Sequence, residues 1–229
     1  MATHRDEILN AACELLVTRG LDGLSMRKLA TQLGVTAPAL YRHYESKEAV
    51  LVDVVGEAFK VFAQYLYRAL DGRTPVERFR LTGRSYMAFA LEHPRYYSLL
   101  HASHEFMGHE ALPHEATDHA CAVGQFMVDR VREAMECGML KPGPPETVAR
   151  TMWAHAHGLV SIYHRGLFRI EEAEFRHLFL ESGWRLMAGL AEPGFAQAME
   201  ETVRASLEAV GQHDGGQGAA EKATADAKG

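Results

Sequence analysis

The sequence predicts an all-α fold. Apolar residues recur at helical spacing along most of the chain, Gly and Pro interrupt that pattern at intervals, and alternating strand patterns are nearly absent. With 229 residues, 47% of them hydrophobic and 24% charged, the chain is long enough to bury a sizeable core in one large or two modest units.

The first helix is expected from about Thr3 to Arg19, with Ile8, Ala12, Leu15 and Leu16 on one face. Ser25 suits the N-cap of a second, whose inward residues are Met26, Leu29, Ala30 and Leu33. Gly34 then ends it, because a left-handed turn costs glycine little. Thr36 offers the next N-cap, and Pro38 is tolerated where first-turn N–H groups have no partner. A fourth helix begins after Ser46 and carries Val50, Val54, Ala58, Val61, Phe62 and Tyr65 to about Leu70, where Asp71-Gly72-Arg73 turns the chain.

Thr74-Pro75-Val76-Glu77 reads as a capping box with Pro at the first helical position. That helix should stop near His93, because Pro94 disfavours α geometry in the residue before it. Helices are then expected over about 95–104, 117–138, 146–165, 171–190 and 195–210, with a loop at 105–116 marked by Gly108 and Pro113. The last 19 residues, from Gly211, lack large apolar side chains and are expected to be a disordered tail.

Composition excludes several classes. No run of 18 uninterrupted apolar residues exists, so no membrane partner is expected, and the N-terminus lacks the apolar stretch of a secretory signal. Cys13, Cys121 and Cys137 are few and far apart, which suits a reducing, cytoplasmic setting without disulfides. Net charge is −6, which disfavours non-specific coating of nucleic acid. The distribution is uneven, however: residues 1–50 hold six basic and six acidic side chains, so the remainder carries the whole deficit.

Two short helices joined by a Gly-bearing turn, Ser25 to Lys47, form a helix-turn-helix pattern whose second helix would enter the major groove of double-stranded DNA. A plain helical hairpin gives the same coarse pattern. Here Arg27, Lys28, Arg42 and Lys47 stand against Glu45 alone, and Tyr41 and His43 lie beside those cations. Ser46-Lys47 also opens a helix, so backbone N–H groups and an ammonium group can meet one phosphate.

The segment Ile8 to Leu51 resembles the DNA-binding domain of the tetracycline-repressor (TetR) family of transcriptional regulators. The resemblance rests on Ala11, Ala12, Gly20, Leu29, Ala30, Gly34-Val35, Leu40-Tyr41-Arg42-His43-Tyr44 and Ser46-Lys47-Glu48. It implies that Thr36, Ala37, Pro38 and Ala39 approach base edges and that Tyr41, His43 and Lys47 hold phosphates. Arg42 is able to pair with guanine, Arg27 and Lys28 flank the site, and readout by Pro38 and the alanines would be apolar contact with thymine methyls. Tyr44 reads more readily as a packing aromatic.

In the body, the His93-Pro94 break and the set Trp153, His157 and Gly158 resemble the family's C-terminal domain, the second set its Trp-His-Gly subtype. The resemblance implies a helical domain that binds a small-molecule effector and forms a homodimer. Phe89, His93, Tyr97, Phe126, Met127, Trp153 and His157 are the candidate ligand-binding residues, apolar wall with polar handles, although each aromatic also suits an ordinary core. The helices at 146–165 and 171–190, with small residues at Ala154, Gly158, Gly183, Ala188 and Gly189, are the candidate dimer interface. The organisation expected is a DNA-binding head over residues 1–50, an effector-binding and dimerising body over 51–210, and a tail over 211–229.

A second reading uses the thirteen histidines. Six fall between His93 and His119 beside Glu105, Glu110, Glu115 and Cys121, so a metal-responsive protein is an alternative. The spacing is loose, and no H-E-x-x-H or paired C-x-x-C occurs. No nucleophile elbow, P-loop or dinucleotide-binding glycine pattern appears either, so neither a cofactor nor enzymatic activity is expected.

Overall fold

A computed structural model describes residues 5–107 and 114–198, with side chains placed for 5–101 and 118–198. Among these residues the protein is helical without strands. The order is α1 (Arg5–Arg19), α2 (Met26–Leu33), α3 (Ala37–Tyr41), α4 (Lys47–Tyr67), α5 (Pro75–Glu92), α6 (Pro94–Met107), α7 (His114–Glu136), α8 (Pro145–His164) and α9 (Glu172–Leu190). Short 3₁₀ turns follow α1 at Leu21–Gly23 and α4 at Arg68–Asp71.

Local signals explain most of the boundaries. Ser25 accepts from the Lys28 N–H at 3.2 Å, and Ser46 accepts from Ala49 at 3.1 Å, each capping its helix. Thr74 and Glu77 form the expected reciprocal capping box. Gly34 adopts φ 67°, ψ 26°, and the Val35 N–H then closes back on the Ala30 carbonyl at 3.0 Å.

Three expectations need correction. Thr36 occupies the N-cap position of α3, but its hydroxyl makes no capping bond. Of the loop expected at 105–116, both ends are helical, because α6 runs on to Met107 and α7 begins at His114, and 108–113 lie outside the described residues. Pro113 immediately precedes α7 and therefore marks a helix start as readily as a loop. The segment expected as a helix from Phe195 already begins at Pro193 and is described only to residue 198; its continuation and the tail lie outside the described residues.

α4 is the spine. It packs against α1 on the head side and against α5, α6 and α7 on the body side, so one continuous rod crosses residue 50. Ile8, Leu16, Leu29, Leu40, Val50 and Val54 are fully buried together where α1 to α4 meet. That core is continuous with Phe89, Leu99, Val160 and Phe175 in the body. A smaller cluster of Phe79, Val131, Ala134, Met139, Leu140, Ala149 and Met187 closes the far end. There the loop after α7 is tied to the end of α9, Lys141 N–H donating to the Leu190 carbonyl at 2.9 Å.

Candidate nucleic-acid interface and effector region

α3 has five residues and lies on the surface. Leu40 alone is fully buried, anchoring it from beneath. On the outer side Thr36, Pro38, Tyr41, Arg42 and His43 are exposed, while Ala37 and Ala39 are half-buried. Tyr41 is 54% exposed, so its hydroxyl is open to an external partner. Arg27 and Lys28 on α2 are also exposed, but the Lys28 ammonium donates to the Asp22 carbonyl at 2.9 Å and so braces the turn after α1.

Lys47 is the first residue of α4, where the helix macrodipole disfavours a cation. The Ala49 N–H of this first turn is already taken by Ser46, so what Lys47 adds at the helix start is an ammonium group, a point charge suited to an anion such as phosphate. Tyr41 and His43 are exposed and Lys47 is half-buried, so this stretch offers a hydroxyl, an imidazole and an ammonium group within seven residues of chain.

Tyr44 follows this run and points inward. Its hydroxyl donates to Asp53 of α4, and Asp53 also receives Arg5 of α1 in a two-pronged pair, Nε donating at 2.9 Å. Its ring is half-buried and packs against the main core. Burial and the Asp53 carboxylate both raise the Tyr44 phenol above its usual range. Burial pushes Asp53 upward, but the bonds from Arg5 and Tyr44 outweigh it and hold the carboxyl below its ordinary range.

The candidate ligand residues divide into three places. Tyr97, Trp153 and His157 come together with Tyr86, His101 and His164. The Tyr97 hydroxyl lies 2.6 Å from His157 Nδ1, the imidazoles of His101 and His157 stack at 4.0 Å, and Trp153 stacks on His157 at 5.5 Å. Phe89 and His93 belong to a neighbouring group: Phe89 stacks on Phe62 at 4.6 Å, and His93 Nε2 lies 3.2 Å from the Tyr65 hydroxyl. Phe62 and Tyr86 join the two groups edge to face. Phe126 lies elsewhere, between Tyr67 and the Arg130 guanidinium, with Met127 beside it on α7. Open hollows of about 190 Å³, lined by Arg5, Asp53, Glu57, Lys60 and His119, and about 220 Å³, lined by Phe168, Ile170, Glu174 and His177, involve none of the seven.

Burial pushes the Tyr97 phenol up to about 12, so it stays protonated and donates. His157 is pushed down, first by burial and then by Arg165, so it stays neutral and accepts at Nδ1. Burial also lowers His164, partly opposed by its bond to the Ala90 carbonyl. Both imidazoles therefore titrate below the ordinary histidine value of about 6.5 in the folded state. The unfolded chain takes up protons first as pH falls, so stability is complete above about 6.5 and declines below it. Melting temperature is expected to drop between pH 7.5 and 5.5, and the drop should shrink in a His157→Asn, His164→Asn variant. Equal drops in both proteins would contradict this assignment.

His101, from the histidine-rich stretch, is engaged with Tyr97 and His157, while the side chains of His104, His109 and His114 lie outside those described. Among the described residues no group of three or more His, Cys, Asp or Glu side chains is placed to share a metal ion. No helix among them is long and apolar enough to cross a membrane.

Tyr86, His101 and His164 were not among the candidate ligand residues. A signal existed, because Tyr97–His101 and Trp153–His157 are both four apart and so share a helix face. Nothing in the local pattern links Arg5 to Asp53.

Residues 8–54 match the family described as "Bacterial regulatory proteins, tetR family", and residues 79–182 match "Tetracyclin repressor-like, C-terminal domain". The chain is 48% identical over 48 residues to tetracycline repressor protein class D of Escherichia coli, a match covering 21% of this chain and 22% of that protein. It is 32% identical over 94 residues to the HTH-type transcriptional repressor KstR2 of Mycolicibacterium smegmatis, covering 40% and 45%. The matches thus span between about a fifth and a half of those relatives' length. A solved structure from Rhodococcus sp. RHA1, a protein of unknown function, is similar with a TM-score of 0.70 at 24% identity, covering 84% of this chain and 97% of that one. The ketosteroid transcriptional regulator KstR2 of Mycobacterium tuberculosis is similar with a TM-score of 0.69 at 18% identity, covering 84% and 97%. At such identities the structural likeness speaks for the fold.

Proposed function

The chain belongs to the tetR family of bacterial regulatory proteins, and from that premise we propose that it is a ligand-responsive transcriptional regulator that binds a palindromic operator as a homodimer. The observation that carries this reading is the exposed run Tyr41-Arg42-His43 at the end of a five-residue surface helix and in the turn that follows it, with Lys47 held at the first position of α4 against the helix dipole. Thr36, Ala37, Pro38 and Ala39 face base edges, Tyr41, His43 and Lys47 hold phosphates, and Arg42 is the candidate for guanine. Arg27 and Lys28 border this surface, Lys28 through its brace on the preceding turn.

The head, residues 1–50, and the body, residues 51–210, share α4. A dimer is needed because two heads must meet half-sites about 34–36 Å apart. Exposed Trp153, Ile162 and Leu180 on α8 and α9 support those helices as the face that the partner covers. The effector is a small apolar or amphipathic molecule received by the aromatic and histidine groups around Tyr97, Trp153 and His157, with Phe89, His93, Phe126 and Met127 as further lining. Its binding shifts the population of head spacings through α4 and releases the operator, so the mode is repression. Trp153, His157 and Gly158 support the Trp-His-Gly subtype, and the setting is the cytoplasm, beside the chromosome.

Selection of bound genomic fragments by the purified protein tests the reading. An inverted repeat with half-site centres about one helical turn apart is expected. Recovery of fragments with no common repeat would overturn it.

A further inference from the structure

From the bonds that converge on α4, we infer that Asp53 is a positioning residue for DNA recognition, holding Tyr44 and Arg5 so that the exposed end of α3 keeps one fixed direction. This rests on the DNA-binding reading above. Tyr41, Arg42 and His43 lie between two anchors. Leu40 is fully buried on one side of them, and the His43 and Tyr44 N–H groups both close on its carbonyl, at 2.8 and 3.0 Å. On the other side Tyr44 reaches Asp53 through its hydroxyl.

Asp53 is in turn fixed by the Arg5 guanidinium, which spans both its oxygens and also reaches Glu57 at 3.4 Å. One carboxylate thus ties the start of α1, the turn after α3 and the second turn of α4. The distance between the Tyr41 and Lys47 donors depends on that turn, because it is the chain between them. A fixed spacing matters, since two donors must meet phosphates of a rigid duplex without rearranging.

A role confined to stability fits less well. The Arg5 side chain is 50% exposed and Asp53 30% exposed, beside an open hollow, and ion pairs so placed contribute little to folding. Charge alone makes the opposite forecast. A carboxylate near the DNA-facing surface repels phosphate, so removing it should strengthen binding.

The test compares Asp53→Asn, Tyr44→Phe and the double variant with the native chain, using a genomic fragment recovered by the native protein. Affinity is read at fixed salt, at a temperature where melting curves show all four proteins folded. Each single variant is expected to bind about tenfold more weakly, and the double no more weakly than either single, because both changes break one linkage. Equal or tighter binding by Asp53→Asn, or losses that multiply in the double, would overturn the inference while leaving the function standing. Failure of the native protein to retain any fragment would remove the DNA reading itself, and this inference with it.

Discussion

Replacing Tyr41 and Lys47 together by Ala is expected to weaken operator binding about 100-fold or more while leaving the fold intact. Each removes a donor to phosphate, and hydrogen bonds involving a charged group are worth about 1.5–3 kcal/mol. Two such losses reach about 3 kcal/mol, and about 1.4 kcal/mol corresponds to a tenfold change. The slope of log affinity against log salt should also fall by about one, since Lys47 no longer displaces a counterion. Folding should hardly change, because Tyr41 is exposed and Lys47 sits where the helix dipole opposes it. Titration of a fluorescent operator at several salt concentrations, beside thermal melts, checks both halves. Survival of native affinity would refute the assignment of α3.

Phe89→Ala should produce the largest loss of stability, about 3–5 kcal/mol. Phe89 is 1% exposed, stacks on Phe62 of α4 and meets Tyr65 edge to face, so truncation leaves a void between α4 and α5. Set against a total of about 5–15 kcal/mol for a natural protein, that loss brings the body close to unfolding. Denaturant titration of the native and variant proteins measures it. A loss under about 1 kcal/mol would show that the site repacks and that the α4–α5 seam depends little on this ring. The same helix α4 also packs against α1, so the loss is expected to reach that end of the fold as well.

The fold was legible wherever a single residue controls the local backbone. Ser25, Gly34, Ser46 and the Thr74–Glu77 pair each act within four residues, and the helices begin and end beside them. Pro113 was harder to interpret, because proline both breaks a helix and starts one. Around α3 the exposed run Tyr41-Arg42-His43 was legible because its residues are consecutive. The half-burial of Ala37 and Ala39 was less so, since a five-residue helix gives no period long enough to assign faces.

Pairings across the fold left no trace in local spacing. Arg5 meets Asp53 across 48 positions, and Tyr97 meets His157 across 60. Such contacts depend on how α1, α4, α6 and α8 cross, which periodicity does not encode. For the same reason Phe126 was grouped with Trp153 by chemistry alone, and the structure separates them into different neighbourhoods. Aromatic type indicates what a residue offers; packing decides to whom.

Phosphate-ethylation interference on a recovered genomic fragment tests the central claim most directly. If α3 enters the groove flanked by Tyr41, His43 and Lys47, ethylation should block binding at phosphates bordering one major groove, repeated with two-fold symmetry about one helical turn away. Tyr41→Ala and Lys47→Ala should each erase interference at particular phosphates within that set. Interference scattered along the duplex, or unchanged by either substitution, would mean that another surface of the protein meets DNA.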